Sequence, residues 1–160
     1  MEIRPAEISE AAELAQLWYD GWQDAHASIV PDELARLRTL EDFSERMLRG
    51  IANVRTAGPV GEPLGFHIVK GDELNQLYVR ASARGTGVAQ ALIADAERRI
   101  ANNGHKIAWL ACGIGNDRAA KFYEKCGWHM ERIFTYEPAT PSGIFSLDVW
   151  RYEKQLIPGE

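Results

Sequence analysis

Cysteine is scarce in this sequence: Cys112 and Cys126 are the only two, and neither sits in a CxxC pair. That excludes a disulfide framework, and the two thiols read as reduced and mostly buried, as in a cytoplasmic protein. Long apolar runs are also missing. No stretch reaches the roughly 20 residues that a membrane-crossing helix needs, so no membrane partner is expected. The opening Met1-Glu2-Ile3-Arg4-Pro5 has no basic segment followed by an apolar one, so no secretory leader is expected. Positive charge is not in excess. Lys and Arg number 18 against 23 Asp and Glu, a net charge of -5, which argues against nucleic acid because no basic field would neutralise its phosphates. The same balance is compatible with a cationic amine substrate, and solubility explains it equally well. His67, His105 and His129 stand apart without ligand spacing, so no metal is assigned.

What is present is material for a packed core. The 160 residues fit one domain, 1–160, and 46% are hydrophobic. Five Trp, five Tyr and five Phe supply large apolar surfaces for a core or a pocket. Ile3 to Pro5 reads as a short strand. From Glu7 to His26, Leu14, Leu17, Trp18, Gly21, Trp22 and Ala25 recur at helical spacing. Pro31 breaks that run, Asp32 caps a short helix through Leu37, and Thr39 or Asp42 starts a third that carries Phe43, Met47 and Leu48.

The pattern then changes. Val54–Ala57, Leu64–Val69 and Glu73–Val79 are strand-like runs separated by turn residues, which makes an antiparallel meander. A glycine-containing turn leads into a long helix with Val88, Leu92, Ile93, Ala96 and Ile100 on one stripe, closed at Asn103-Gly104. The apolar run Ile107–Cys112 follows this crossover and should lie parallel to Glu73–Val79. A helix over Asp117–Lys125 ends at Gly127. Strands near Trp128–Tyr136 and Ile144–Lys154 finish the chain, joined by a loop over Glu137–Gly143. The fold class is therefore α/β (α+β), with a mixed, mostly antiparallel sheet of about six to seven strands flanked by helices.

The chemically informative segment is Leu77-Tyr78-Val79-Arg80-Ala81-Ser82-Ala83-Arg84-Gly85-Thr86-Gly87-Val88-Ala89. A strand runs into a loop, and a helix starts at about Gly87. The first amides of a helix lack internal partners and carry the positive end of its dipole. Gly85 and Gly87 bare those amides to a ligand phosphate, and Arg84 adds a fixed charge. The loop lacks the Gly-Lys-Ser/Thr ending that nucleotide triphosphate hydrolysis requires. A dinucleotide fingerprint would need a third glycine where Gln90 stands, and an uninterrupted βαβ order, so a nicotinamide-dependent oxidoreductase is disfavoured.

Two motifs make the chain recognisable. Arg84-x-x-Gly87-x-Ala89 resembles the pyrophosphate-binding motif of the GNAT acetyltransferases. Asn116-Asp117-Arg118-Ala119-Ala120-Lys121-Phe122-Tyr123-Glu124-Lys125-Cys126-Gly127-Trp128 is similar to that family's Asn-x-x-Ala-x-x-Phe-Tyr helix. The resemblance spans Leu64 to Trp128 and extends more loosely to both ends. It implies a single N-acetyltransferase domain whose sheet splays between its two parallel central strands. It also implies an enzyme that moves an acetyl group from acetyl-CoA to a primary amine by direct transfer.

By the same resemblance, Arg84, Gly85, Thr86, Gly87, Val88 and Ala89 bind the CoA pyrophosphate, and the backbone of Leu77, Tyr78 and Val79 holds the pantetheine arm. Asn116, Ala119 and Phe122 complete the cofactor wall. Tyr123 is the expected general acid for the departing thiolate, against a null of ordinary core packing. Glu73, whose side-chain parity with Asn75, Leu77 and Val79 is the geometric check, is the expected base. An exposed carboxylate at a strand start is its null. Trp22 and His26, on one helix face with Trp18, are expected to line the acceptor site. Asn116 also suits a helix N-cap, and Cys112 reads as a small buried residue. The acceptor is expected to be a small-molecule or peptide amine, with a homodimer left open. The rival reading is a non-catalytic acyl-CoA-binding or regulatory module on the same fold.

Overall fold

The structure is a computed structural model that describes residues 1–156, so the last four positions of the expected 1–160 domain lie outside the described residues. In chain order the elements are β1 (Ile3–Pro5), α1 (Ala11–His26), α2 (Asp32–Leu37), α3 (Leu40–Gly50), β2 (Val54–Ala57), β3 (Gly65–Lys70), β4 (Glu73–Val79), α4 (Val88–Asn102), β5 (Ile107–Gly113), α5 (Asp117–Lys125), β6 (His129–Tyr136), β7 (Ala139–Thr140), β8 (Gly143–Ile144) and β9 (Leu147–Gln155). Seven strands form one mixed sheet in the order β1-β2-β3-β4-β5-β9-β6. Every neighbouring pair is antiparallel except β4 and β5.

The local signals explain most boundaries. A turn of 3₁₀ helix over Ile8–Glu10 precedes α1, and the Glu10 carboxylate accepts from the Glu7 amide at 3.0 Å. Thr39 accepts from the Asp42 amide at 3.1 Å and so starts α3. The expected strand from Ile144 to Lys154 is corrected. Its regular part starts at Leu147, because residues 143 and 144 pair with Ala139 and Thr140 in a small separate hairpin that turns at Pro141-Ser142 and leaves the turn through Gly143, φ +105°.

Helices cover both faces of the sheet. On one, Trp18 and Trp22 of α1 and Phe43 and Met47 of α3 bury against Phe66 and Ile68 of β3. On the other, Ile93, Ala96 and Ile100 of α4 pack with Leu74, Ala108 and Leu110. An ion-pair cluster is sealed between α4 and the meander. Arg55 Nε lies 2.8 Å and His67 Nε2 2.7 Å from Asp95 Oδ2. His67, isolated in sequence, is thus a structural partner of Asp95.

Two features shape the centre. Among the described residues the parallel pair is in ladder register only at Glu73 and Trp109, after which β4 and β5 diverge. In β4, Asn75 is an extra residue: Gln76 faces Ile68 and Leu74 faces Val69 across β3, with Asn75 between them unmatched. Such a bulge resets which face each side chain takes. Leu74 stays with α4, whereas Glu73, opposite Lys70, shares the α1–α3 face with Gln76 and Tyr78. The parity of Glu73 with Leu77 and Val79 expected from simple alternation does not hold.

Candidate active site

The loop after β4 is built to leave amides bare. A 3₁₀ turn over Ala81–Ala83 precedes Arg84, and Gly85 and Gly87 take φ of +78° and +91°. A methyl group on either glycine would meet nothing within 4 Å, so the backbone there fronts open space. None of the amides from Gly85 to Gln90 donates to another described residue. The side chain of Val88 is buried in the core, which leaves only its amide to offer. Thr86 spends its hydroxyl on the Ala83 carbonyl. Unsatisfied amides converging at the positive end of a 15-residue helix make an anion cradle.

Arg84 does not hang free over that cradle. Its Nη2 lies 2.9 Å from Asp24 Oδ2 on α1, and Arg118 of α5 reaches the same oxygen at 2.7 Å. Those two hydrogen bonds, Arg118's first, hold the Asp24 carboxyl below its usual range. One carboxylate thus positions two exposed guanidiniums, and both keep donors to spare.

Beside the cradle, a cavity of about 300 Å³ runs along the splay. Leu77, Tyr78 and Val79 form one wall, Asn116, Ala119, Phe122 and Tyr123 the other, and Arg84, Gly85 and Ala89 the mouth. Asn116 occupies the N-cap position of α5, but its side chain makes no capping bond. The Asn116 side chain therefore does not cap α5, and its amide is available to the cavity. Tyr123 packs against Phe122, Trp128 and Tyr152 at centroid distances of 5.6 to 6.2 Å, so it contributes to the core. Its hydroxyl has no hydrogen-bond partner among the described residues. Burial raises its pKa well above the ordinary phenol value, so it stays protonated.

Tyr78 also borders a second cavity, of about 540 Å³, on the α1–α3 side. Trp18, Trp22 and His26 line it, as do Asn75 and Gln76. His26 packs on Trp22 at 5.4 Å, and burial pushes its pKa down to about 4, which keeps the ring neutral. Glu73 sits behind Asn75, whose amide donates to Glu73 Oε2 at 3.1 Å. Burial raises the Glu73 pKa against the opposing effect of that bond, a direction that suits a proton acceptor. Cys112 is buried, and desolvation pushes its thiol up to about 12, far from a reactive thiolate.

Of the residues singled out in the sequence, Trp22 and His26 line the larger cavity, Leu77, Val79, Arg84, Gly85, Ala89, Asn116, Ala119, Phe122 and Tyr123 the smaller, and Tyr78 both. Thr86, Gly87 and Val88 contribute backbone to the cradle, and Glu73 lines neither cavity but contacts Asn75, which does. Several neighbours were missed. Arg118 lay inside a quoted motif, yet its pairing with Asp24 spans 94 residues. Gly21 reads as an ordinary helix position, but a Cβ there would lie 2.6 Å from the Tyr78 ring. Arg38 and Arg46 on the second cavity carry no local signal. His129 comes near Glu131 and the half-buried Glu153 on β6 and β9.

Comparison with known proteins adds independent findings. Residues 12–128 match the acetyltransferase (GNAT) family. An uncharacterized N-acetyltransferase of Mycobacterium bovis is 30% identical over 115 residues, covering 69% of this chain and 71% of the relative; a Mycobacterium tuberculosis protein of the same description matches equally. Among solved structures, the PaiA N-acetyltransferase of Thermoplasma acidophilum, in complex with coenzyme A, is 21% identical. It superposes with a TM-score of 0.74 over 96% of this chain and 98% of its own. YncA from Salmonella typhimurium, solved with its cofactor acetyl-CoA, is 15% identical with a TM-score of 0.63, over 100% and 96%. At those identities the structures speak for the fold, including the parallel β4–β5 pair.

Proposed function

The chain belongs to the acetyltransferase (GNAT) family, and on that premise we propose that it transfers an acetyl group from acetyl-CoA to a primary amine, with both substrates bound at once. The observation that carries the reading is the row of undonated amides from Gly85 to Gln90 beside a splayed strand pair. Those amides and the guanidiniums of Arg84 and Arg118 suit a pyrophosphate, and the Leu77–Val79 edge and Asn116 suit the amide-bearing arm behind it. The acceptor enters from the Trp22–His26 side.

In the reaction the amine nitrogen forms a bond to the acetyl carbon, the carbon–sulfur bond breaks, and the nitrogen loses a proton. Glu73, kept basic by burial, receives that proton through water near Asn75. Tyr123, held protonated, supplies a proton to the leaving sulfur. Backbone N–H groups along the unpaired part of β4 polarise the carbonyl. Nothing here resembles an activated nucleophile, since the Cys112 thiol is raised rather than lowered.

The test is release of free CoA from acetyl-CoA across a broad panel of primary amines. Turnover with at least one amine, and no kinetically competent acetylated side chain, is expected. Acetyl-CoA binding without turnover on any amine would instead indicate a non-catalytic binding module.

A further inference from the structure

We propose that the acceptor is an amine that also carries a carboxylate, a free amino acid with an apolar side chain, whose carboxylate is taken by Arg46. This deepens the acetyltransferase reading and rests on it for the identity of the reacting cavity.

Four cationic residues, Arg38, Arg46, Arg49 and Lys70, line the 540 Å³ cavity, and among the described residues no Asp or Glu lines it. This is the reverse of what a polyamine-like cation would select, and it departs from the chain's overall net charge of -5. Nearby carboxylates answer only part of the surplus. Asp42 Oδ2 lies 3.0 Å from Arg38 Nη1, and Glu73 faces Lys70 across the β3–β4 ladder.

Arg46 shares its carboxylate: Asp42 Oδ2 lies 3.5 Å from Arg46 and 3.0 Å from Arg38. The Arg46 Cζ sits 4.4 Å from the Trp18 ring centroid and 5.3 Å from that of Phe43, so the guanidinium is fixed on an aromatic platform. Its Nη1 is buried and makes no hydrogen bond to another described residue, only a long ion pair with the carboxylate that Arg38 already engages. Burial lowers its pKa to about 10, a sign of charge held at a cost. A planar guanidinium with unused donors, held on a ring that lines the same cavity, is suited to a carboxylate. Trp22, Ile68 and Leu147 give the remaining wall its apolar character and fit an aliphatic or aromatic side chain.

The same field assists the chemistry. Cations near the amine disfavour its ammonium form and lower its pKa, which increases the neutral nucleophile that Glu73 would otherwise have to generate unaided. His26, neutral at the cavity wall, adds no opposing charge.

The experiment uses matched ligands on the intact protein. L-leucine and L-phenylalanine are each compared with the decarboxylated amine and with the carboxamide, by fluorescence titration of the cavity tryptophans and by CoA release. The amino acids should bind at least tenfold more tightly than either counterpart. Arg46→Met should remove most of that preference and Arg46→Lys should keep part of it. Equal or weaker binding of the amino acids in the wild-type protein overturns the proposal, whether or not any variant folds. Turnover of the decarboxylated amines alone would also overturn it while leaving acetyl transfer intact. Tight amino-acid binding with no CoA release would instead uphold the carboxylate site and defeat the acetyltransferase reading.

Discussion

At the scale of single residues, the sharpest claims concern two tyrosines. Tyr123 has a hydroxyl with no hydrogen-bond partner among the described residues and a ring packed on three aromatic neighbours. Removing only the hydroxyl should spare the packing. Tyr123→Phe is therefore expected to lower turnover by about tenfold or more with acetyl-CoA affinity little changed, as loss of a general acid does. Unchanged turnover in steady-state kinetics would return Tyr123 to a purely structural role. Tyr78 separates the two cavities, and its ring leaves no room for a side chain at position 21. Gly21→Ala should displace that ring and reduce kcat/KM by between about ten- and a hundredfold, the usual consequence of moving a positioned group by an ångström. The same change should cost about 1–3 kcal/mol in a denaturant titration, as overpacking does. Wild-type kinetics in Gly21→Ala would mean that Tyr78 is not a boundary.

At the scale of elements, local pattern and distant contact divide cleanly. The Val88 helix, the Glu73–Val79 strand and the Asn116–Trp128 motif were legible because each rests on spacing within a few residues. The bulge at Asn75 was not. Nothing in Glu73-Leu74-Asn75-Gln76 marks an extra residue, which exists only relative to the register of β3. The start of β9 was missed for a related reason, since a hairpin at 139–144 takes residues that alternation alone would give to the strand. Glu10 shows how one side chain can join elements. It is fully buried and accepts from Arg4 on β1, from the Glu7 amide and from the Gly61 amide in the β2–β3 turn. The Arg4 hydrogen bond, against the cost of burial, lowers its pKa from 4.5 to about 2. A carboxyl with a depressed folded-state value stabilises the fold fully above the unfolded value and loses that contribution as pH falls. Thermal melts of the wild type should lose stability between about pH 5 and pH 2. Glu10→Gln should melt roughly 5 °C lower at neutral pH, with a flatter profile across that window. A variant that keeps the wild-type slope would show that another carboxyl controls it.

At the scale of the whole molecule, function follows from one break in an otherwise continuous sheet. β5 is secured by β9 over seven registered pairs, yet it meets β4 at a single position. The two halves thus remain one sheet and still open a passage lined by backbone. That a splay should exist was legible through the family resemblance. The character of its acceptor side was not, because Arg38, Arg46 and Lys70 come from three separate elements or loops, and only the fold brings them to one cavity. The overall acidity of the chain is compatible with a cationic ligand and equally with solubility alone, whereas the local field at this cavity is positive.

The central claim is that the undonated amides at the start of α4 and the splay beside them receive acetyl-CoA. Calorimetric titration of acetyl-CoA into the folded protein tests it most directly. The account predicts a saturable heat with one site per chain, reproduced by CoA. Protein that is folded by circular dichroism yet gives no heat with either ligand would contradict it.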